Sequence, residues 1–352
     1  MISIKNSLTL QDVLFPVTKP WKTEHIDVGD GHSLYVQQFG NRNGVPVLIV
    51  HGGPGGGIKA ESGSVRQHDP SYFRIIAVDQ RGCGASIPHV ADDRKKAFYK
   101  NTPDKLVSDF EMIRQALDLR HWHVCGYSWG SCLSVYYASF YPQSIRSLTV
   151  GGIWMHTPQE IDWYINRMGL FFPEAEAELL KTLPRSTKRF DRLEKLYKAI
   201  MGKDQKIALR VAEAQGQFEN VAVHFISDAE QKAEQQTEQG KKKKKSAAEK
   251  RHEKLDTIAR GALEIYFMRQ HPLPTEWYKS KDTKQALKQI KDFVIIQGRY
   301  DIVCPPTMAY ELHNAHPHSK CTFVHYAGHR ATPEFMQTMI KAHERLKRVK
   351  SE

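Results

Sequence analysis

One pentapeptide, GYSWG at residues 126–130, limits the possible folds of this chain more than any other segment. The apolar run WHVC precedes it, and a helical pattern follows from about Ser131 to Tyr141. On a sharp turn between a strand and a helix, Cβ atoms on either side of the serine would collide with neighbouring strands, so glycines are needed there. Such a turn lifts the serine hydroxyl clear of the backbone and points the helix N-terminus towards it. The segment therefore predicts a strand-turn-helix unit with a reactive Ser128, rather than an ordinary turn serine.

Strand and helix patterns alternate around this unit. The predicted strands are HSLYVQQFG, VPVLIV, FRIIAVD, WHVCG, IRSLTVGG, DFVIIQGRYD and CTFVHYAGH. A helix is predicted after Thr102, which can cap it, because apolar residues recur at helical spacing from Leu106 to Leu117. Strands that alternate with helices predict an α/β fold, with a mostly parallel sheet and helices on both faces.

The pattern changes after Trp154, where long charged helical segments begin and continue to about Gln285. The chain has 352 residues, and single cores stop growing at roughly 250–300 residues. We therefore expect a core in two parts, residues 1–154 and 287–352, interrupted by a mainly helical cap at residues 155–286. A Lys-, Gln- and Glu-rich stretch near residues 227–254 is expected to be a solvated loop or charged helix inserted in that cap.

Composition bears on partners and compartment. The net charge is +12, but much of the excess is local to the Lys-rich stretch. We therefore do not expect nucleic acid as a partner. An anionic partner or a sorting signal for that stretch stays open. The five cysteines lack disulfide-framework and zinc-ligand spacing, which favours reduced thiols. Neither a signal-peptide-like apolar region at the N-terminus nor a run of about 18 apolar residues occurs. A cytoplasmic protein without a membrane segment is the expectation.

A serine hydroxyl is a poor nucleophile unless a base removes its proton, so a histidine oriented by a carboxylate is expected elsewhere. Asp301 follows the strand FVIIQGRY, and His329 follows the strand CTFVHYAG. This gives the chain order serine, acid, histidine of α/β-hydrolases. Among 17 histidines, His329 stands out because it follows a glycine directly after a strand.

The glycine-rich segment HGGPGGG, residues 51–57, follows the strand VPVLIV. It could cradle a phosphate, but it lacks the Lys-Ser/Thr of a P-loop and the G-x-G-x-x-G register of a dinucleotide site. The alternative is an oxyanion-hole loop, in which one backbone N–H acts together with that of Trp129 on a developing negative charge. The sequence favours this second interpretation.

The four segments HGGPGGG, DQRGCGAS, GYSWGS and GRYDIVCPP occur in one order, and in this the chain resembles the proline iminopeptidase family of α/β-hydrolase serine aminopeptidases. The resemblance runs from about DGHSLY through GGIW and resumes from about Ile290 to His329. It implies an α/β-hydrolase fold with an inserted helical cap, and the release of an N-terminal proline through an acyl-enzyme. It implies no metal and no organic cofactor. The implied nucleophile, acid and base are Ser128, Asp301 and His329, and the implied oxyanion donors are the backbones of Gly53 and Trp129.

The same resemblance implies which residues recognise a peptide with a free N-terminus. Glu219 in QGQFE and Glu264 in LEIYFM would hold the ammonium group, although Gln215 and Phe218 stand where the family usually has tryptophans. For each glutamate, the alternative is a solvated helix residue.

A pocket for the proline ring would consist of Trp154, Tyr164 and Cys304 according to the resemblance. Core packing is the alternative for Trp154. Two other functions stay open at this point: an ester or amide acyl hydrolase without proline preference, and a non-catalytic binding protein on the same scaffold. The sequence does not reveal the oligomeric state.

Overall fold

A computed structural model describes residues 8–185, 188–224 and 246–347. The strands are Lys22–Asp27 (β1), Ser33–Gly40 (β2), Val45–Val50 (β3), Phe73–Val78 (β4), Trp122–Tyr127 (β5), Ile145–Gly151 (β6), Asp292–Gly298 (β7) and Lys320–Val324 (β8). The α-helices are Leu10–Val13 (α1), Gly63–Arg66 (α2), Arg94–Phe98 (α3), Pro103–Ala116 (α4), Trp129–Phe140 (α5), Pro158–Asp162 (α6), Pro173–Lys181 (α7), Arg192–Met201 (α8), Gln205–Val223 (α9), Ala247–Gln270 (α10), Lys281–Leu287 (α11), Pro306–Ala315 (α12) and Pro333–Leu346 (α13). Short 3₁₀ or π turns lie at Pro142–Ser144, Trp163–Arg167, Met168–Leu170, Arg189–Asp191 and Trp277–Lys279.

The eight strands of the described ranges form one sheet in the order β1-β2-β4-β3-β5-β6-β7-β8. The pairs β1-β2 and β2-β4 are antiparallel, and all other neighbours are parallel. The prediction of a mostly parallel sheet is confirmed. Strand β1 was not predicted, because its sequence KTEHID is polar and its side chains are largely exposed.

Apolar residues alternate between the two faces of the central strands, which gives two buried clusters. Leu48 and Val50 of β3 pack in the cluster that contains α4 and α5. Val47 and Ile49 of the same strand pack in the cluster that contains α13. Helices therefore cover both faces, and the carboxyl ends of the parallel strands meet at one edge of the sheet, where α/β proteins place their sites.

Helices α6–α11 lie between β6 and β7 in the sequence, where the cap was predicted. Helices α8, α9 and α10 pack against one another, whereas α11 packs against α5. The division at residues 154 and 286 stays a prediction. Most of the Lys-rich stretch lies outside the described residues, and from Ala247 onwards it is helical. Within the described ranges, no helix combines the length and apolar character needed to cross a membrane.

Candidate active site

Ser128 lies on a tight turn between β5 and α5, with a φ of 57°. Its backbone N–H donates to the carbonyl oxygen of Gly151, at 3.0 Å, and so ties the turn to β6. A Cβ atom on Gly126 would come within 2.1 Å of the Gly130 oxygen, and one on Gly130 within 2.1 Å of the Val50 oxygen. No side chain fits at either position, which is the reason for glycine that the sequence suggested.

His329 and Asp301 lie on the loops after β8 and β7 and form a buried hydrogen-bonded pair. The Nδ1–H of His329 donates to Asp301 Oδ2 at 2.9 Å. This bond assigns the proton to Nδ1 and leaves Nε2 as the basic nitrogen. Burial alone would lower the pKa of His329, but the charge and hydrogen bond of Asp301, together with the charge of Glu219, leave that pKa raised. The arrangement is that of a general base held by a carboxylate.

Two residues that the sequence analysis missed hold this pair in place. Gln297 Nε2 donates to Asp301 Oδ2 at 3.2 Å and to the Cys304 oxygen at 2.9 Å, while its Oε1 accepts from Ile153 N–H at 2.7 Å. The Tyr127 hydroxyl donates to the backbone oxygen of His329. A polar residue in the apolar strand FVIIQG, four positions before the acid, was the available signal for Gln297.

The glycine-rich loop adjoins the nucleophile, since a Cβ on Gly52 would lie 3.3 Å from the Cβ of Ser128. Gly53 has a φ of 115°, which glycine adopts without strain. Gln80, from the segment DQRGCGAS, anchors the loop because its backbone N–H donates to His51 Nε2 and its Nε2 donates to the His51 oxygen. Trp129 Nε1–H in turn donates to Gln80 Oε1 at 3.0 Å. The loop and the first helical residue after Ser128 are thus joined by one chain of hydrogen bonds.

Ser128 borders two adjoining cavities. The larger, of about 700 Å³, is also bordered by His329. The smaller is bordered by Trp154, Tyr164 and Cys304, and by three residues that were not predicted as site residues, Pro54, Met268 and Val303. Gly53, Glu219 and Glu264 border both. The structure thus brings all ten predicted site residues to these cavities or directly behind them.

The smaller cavity holds only about 20 Å³ in this structure, which is room for one water molecule. A pyrrolidine ring would enter it only if a side chain moved, and the flexible Met268 is suited to that movement. For Trp154 the sequence left two interpretations, core packing and a wall of the proline pocket. Its side chain is 5% exposed and its Nε1–H donates to His156 Nδ1 at 3.0 Å, so it belongs to the core. It also forms a wall of the smaller cavity.

Glu264 and Glu219 lie close together on α10 and α9. The Tyr164 hydroxyl donates to Glu264 Oε1 at 2.6 Å, and Gln215 Nε2 donates to the Tyr164 oxygen at 3.4 Å. Burial, and then the charge of Glu219, raise the pKa of Glu264 well above its ordinary value. Two neighbouring carboxyl groups of this kind resist simultaneous ionisation unless a positive charge lies beside them.

This raised pKa predicts a pH-dependent cost to stability. The unfolded Glu264 ionises at a pH of about 4–5, whereas the folded one keeps its proton to higher pH, so the folded state binds more protons and loses stability as the pH rises through that interval. We expect Glu264→Gln to raise the free energy of unfolding at pH 9 by about 1 kcal/mol or more, and to change it little at pH 4. Urea unfolding of both proteins at the two pH values measures this, and an equal effect at both would contradict it.

Two groups of buried side chains in the described ranges have donor atoms within 4.8 Å of one another. One group, Asp301, Cys304 and His329, belongs to the arrangement above. The other, His68, Cys125 and His343, lies on the opposite face of the sheet near α13. Burial lowers the pKa of both histidines in the second group, so their rings are neutral. The expectation that no metal takes part stays a prediction.

Comparison with known proteins agrees with this geometry. The model of a family described as alpha/beta hydrolase fold matches residues 45–334. Among solved structures, a proline iminopeptidase-related protein from Thermus thermophilus superposes with a TM-score of 0.57 at 20% identity, covering 91% of this chain and 96% of that one. An alpha/beta fold family hydrolase from Bacillus anthracis str. Sterne gives a TM-score of 0.53 at 18% identity, covering 93% and 99%. Both similarities establish the fold.

Curated sequences give the narrower family. A proline iminopeptidase of Arabidopsis thaliana is 30% identical over 336 residues, which cover 95% of this chain and 82% of the relative. A probable proline iminopeptidase of Leptolyngbya boryana is 34% identical over 321 residues, covering 90% and 91%. One from Neisseria gonorrhoeae is 30% identical over 341 residues, covering 94% and 98%. The chain therefore belongs to the proline iminopeptidase family of α/β-hydrolases.

Proposed function

We propose that this protein is a serine aminopeptidase that releases an N-terminal residue, preferentially proline, from peptides. Ser128 attacks the carbonyl carbon of the first residue while His329 takes the hydroxyl proton, and His329 then gives that proton to the leaving nitrogen. Asp301 orients the imidazole and stabilises its charged form. The N–H groups of Gly53 and Trp129 stabilise the oxyanion. Water then releases the acyl group by the same steps.

The observation that carries this proposal is the carboxylate pair beside the nucleophile. Glu264 is 6% exposed, and its burial, together with the nearby charge of Glu219, raises its pKa to about 8, so it keeps its proton at neutral pH. The protonated α-amine of a substrate supplies the positive charge that allows both carboxyl groups to ionise. An acyl substrate without an amine supplies none. The pair therefore favours an aminopeptidase over a general acyl hydrolase.

The smaller cavity supports the preference for proline. Its walls include Trp154 and Tyr164, whose rings lie 6.1 Å apart in an edge-to-face arrangement, and the thiol of Cys304. Burial raises the pKa of that thiol well above its ordinary value, so it stays neutral and presents an apolar surface. A compact, rigid ring placed here loses little conformational entropy on binding.

We propose further that the protein works in the cytoplasm on peptides, without nucleic acid or a membrane as partner. The cysteines of the described ranges are free thiols, which is typical of a reducing compartment. A serine-histidine-aspartate mechanism requires neither metal nor organic cofactor.

A Glu219→Gln variant tests the function. If Glu219 holds the ammonium group, its loss removes one partner of a charge pair, at a cost of roughly 2–5 kcal/mol. We expect kcat/KM for a prolyl arylamide to fall at least about 30-fold relative to that for a neutral acyl ester, given about 1.4 kcal/mol per tenfold. Steady-state kinetics on both substrates provides the measurement.

Glu213→Gln is the matched control, because Glu213 is an exposed carboxylate on the same helix that borders the same cavity. It should change the ratio of the two substrates less than about threefold. The N-acetylated prolyl arylamide should be a poor substrate of the parent. Equal losses on arylamide and ester in Glu219→Gln would instead favour the ester or amide acyl hydrolase without proline preference.

A further inference from the structure

Arg260 is a charged residue of the larger cavity to which the catalytic steps above give no role. It lies on α10, one turn before Glu264, and its side chain is 59% exposed. The cavity that it borders is also bordered by Ser128 and His329. Its backbone packs beside the glycine-rich loop, since a Cβ on Gly55 would lie 3.7 Å from the Cα of Arg260.

The guanidinium group of Arg260 has donors to spare. Its recorded ionic partner is Glu219, and the Nη2 to Oε2 distance of 3.8 Å is longer than a hydrogen bond. Across the described ranges, no hydrogen bond is recorded from any of its five N–H groups. When a substrate ammonium occupies Glu219, that weak contact is replaced and the guanidinium is left facing the cavity.

The geometry of the reaction assigns an anion to this cavity. The first residue of the substrate occupies the smaller cavity, so the leaving portion, whose nitrogen His329 protonates, must extend into the larger one. For a dipeptide, the leaving portion is a free amino acid, and its carboxylate lies only a few bonds from the scissile nitrogen. The other ionisable groups on the described cavity wall are the carboxyls of Glu213, Glu219 and Glu264, which repel a carboxylate when ionised, and the imidazoles of His224 and His329. Arg260 differs from both imidazoles because a guanidinium stays charged at any pH at which the enzyme works, so it is the permanent cation that attracts the carboxylate.

We propose that Arg260 binds the C-terminal carboxylate of the substrate, which makes short peptides with a free C-terminus, dipeptides above all, the preferred substrates. This inference rests on the proposed function and names its substrate class. The planar guanidinium matches a carboxylate with two parallel hydrogen bonds, which gives orientation as well as affinity. A dipeptide is then held at both ends, by Glu219 and Glu264 at the ammonium and by Arg260 at the carboxylate.

The test compares Pro-Ala with its C-terminal amide, in which a neutral carboxamide replaces the carboxylate. For the parent protein at pH 7.5 and low salt, we expect kcat/KM to be about tenfold higher for the acid, a modest factor because the side chain is partly exposed and screened. Arg260→Gln should bring the ratio of acid to amide close to one. Arg260→Lys should retain part of it, and 0.5 M salt should reduce it in the parent.

Lys254→Gln is the matched control, because it removes one positive charge from an exposed position of the same helix outside the cavity wall. It should leave the ratio of acid to amide unchanged. A parent ratio near one, or an unchanged ratio in Arg260→Gln, would overturn the proposal. Equal losses on acid and amide in Arg260→Gln would also overturn it, since they would show that Arg260 only supports Glu219.

A prolyl arylamide, which has no carboxylate, separates this proposal from the proposed function. If the parent cleaves the arylamide but does not distinguish Pro-Ala from its amide, the role of Arg260 is wrong and the function stands. If the parent cleaves none of the three prolyl substrates while a fluorophosphonate still labels Ser128, the proposed function itself is wrong.

Discussion

Ser128→Ala is expected to fold as the parent does and to lose nearly all turnover, about 10⁶-fold in kcat. Alanine keeps the Cβ atom, so the steric demand of the turn at φ 57° is unchanged. The glycines at 126 and 130, which relieve the contacts of that turn, are untouched. What is lost is the oxygen that forms the acyl-enzyme, and neither the oxyanion donors nor the base can replace it. Steady-state assays on a prolyl arylamide, with circular dichroism to verify folding, measure the effect.

The control for this variant is Ser139→Ala, on the same helix α5. The Ser139 hydroxyl donates to the Tyr136 oxygen within the helix and faces neither cavity. It should keep parental activity and parental labelling by a fluorophosphonate, whereas Ser128→Ala should not be labelled. A folded Ser128→Ala protein with parental activity on every substrate would remove Ser128 from the mechanism.

The sequence predicted those parts of the site that depend on local backbone chemistry. The serine turn is one, because only glycine fits at positions 126 and 130. The positions of Asp301 and His329 are another, because each follows a strand in a sheet that was predicted to be parallel, and the ends of such strands meet at one edge. In both cases the position of the side chain depends on the backbone of a few neighbouring residues, so a short sequence pattern can predict it.

Contacts between distant parts of the chain could not be predicted in this way. The sequence pattern places β2 directly before β3, yet β4 lies between them in the sheet. Gln297 and Asp301, which form a hydrogen bond, are close in sequence. The hydrogen bonds of Gln297 to Ile153 and of Trp129 to Gln80 instead join segments that are far apart in the sequence. Side-chain hydrogen bonds of this kind leave no periodic signal, because each depends on the final packing.

The aromatic differences around Glu219 are a third case. Gln215 stands where the resemblance implies a tryptophan. In the structure, Gln215 instead donates to Tyr164, which donates to Glu264. A polar residue therefore supports the carboxylate pair by hydrogen bonding where an aromatic one would pack. Composition alone does not distinguish these two ways of holding one group.

Asp301→Asn is expected to reduce kcat about 10⁴-fold without unfolding the protein. The two carboxylate oxygens have donors on both sides: Oδ1 accepts from Cys304 N–H at 2.8 Å, and Oδ2 accepts from His329 Nδ1 and Gln297 Nε2. An asparagine can present an oxygen to only one side. If its oxygen faces Cys304, its NH₂ group faces His329, which must then carry its proton on Nε2 and cannot accept one from Ser128.

If the oxygen of that asparagine faces His329 instead, the NH₂ group opposes Cys304 N–H, and the tautomer is kept at the cost of one unsatisfied donor. In either orientation the negative charge of Asp301 is gone, and the charge of Glu219 is left to oppose the effect of burial, so the pKa of the imidazole falls. The base is then weaker, and its protonated form is no longer stabilised. We expect the acidic limb of the kcat/KM profile to move to lower pH, which a simple packing defect would not cause.

The control is Asp292→Asn, at the opposite end of β7, which should leave both kcat and the pH profile nearly unchanged. An Asp301→Asn protein that kept a tenth of parental kcat would show that His329 is oriented by other groups.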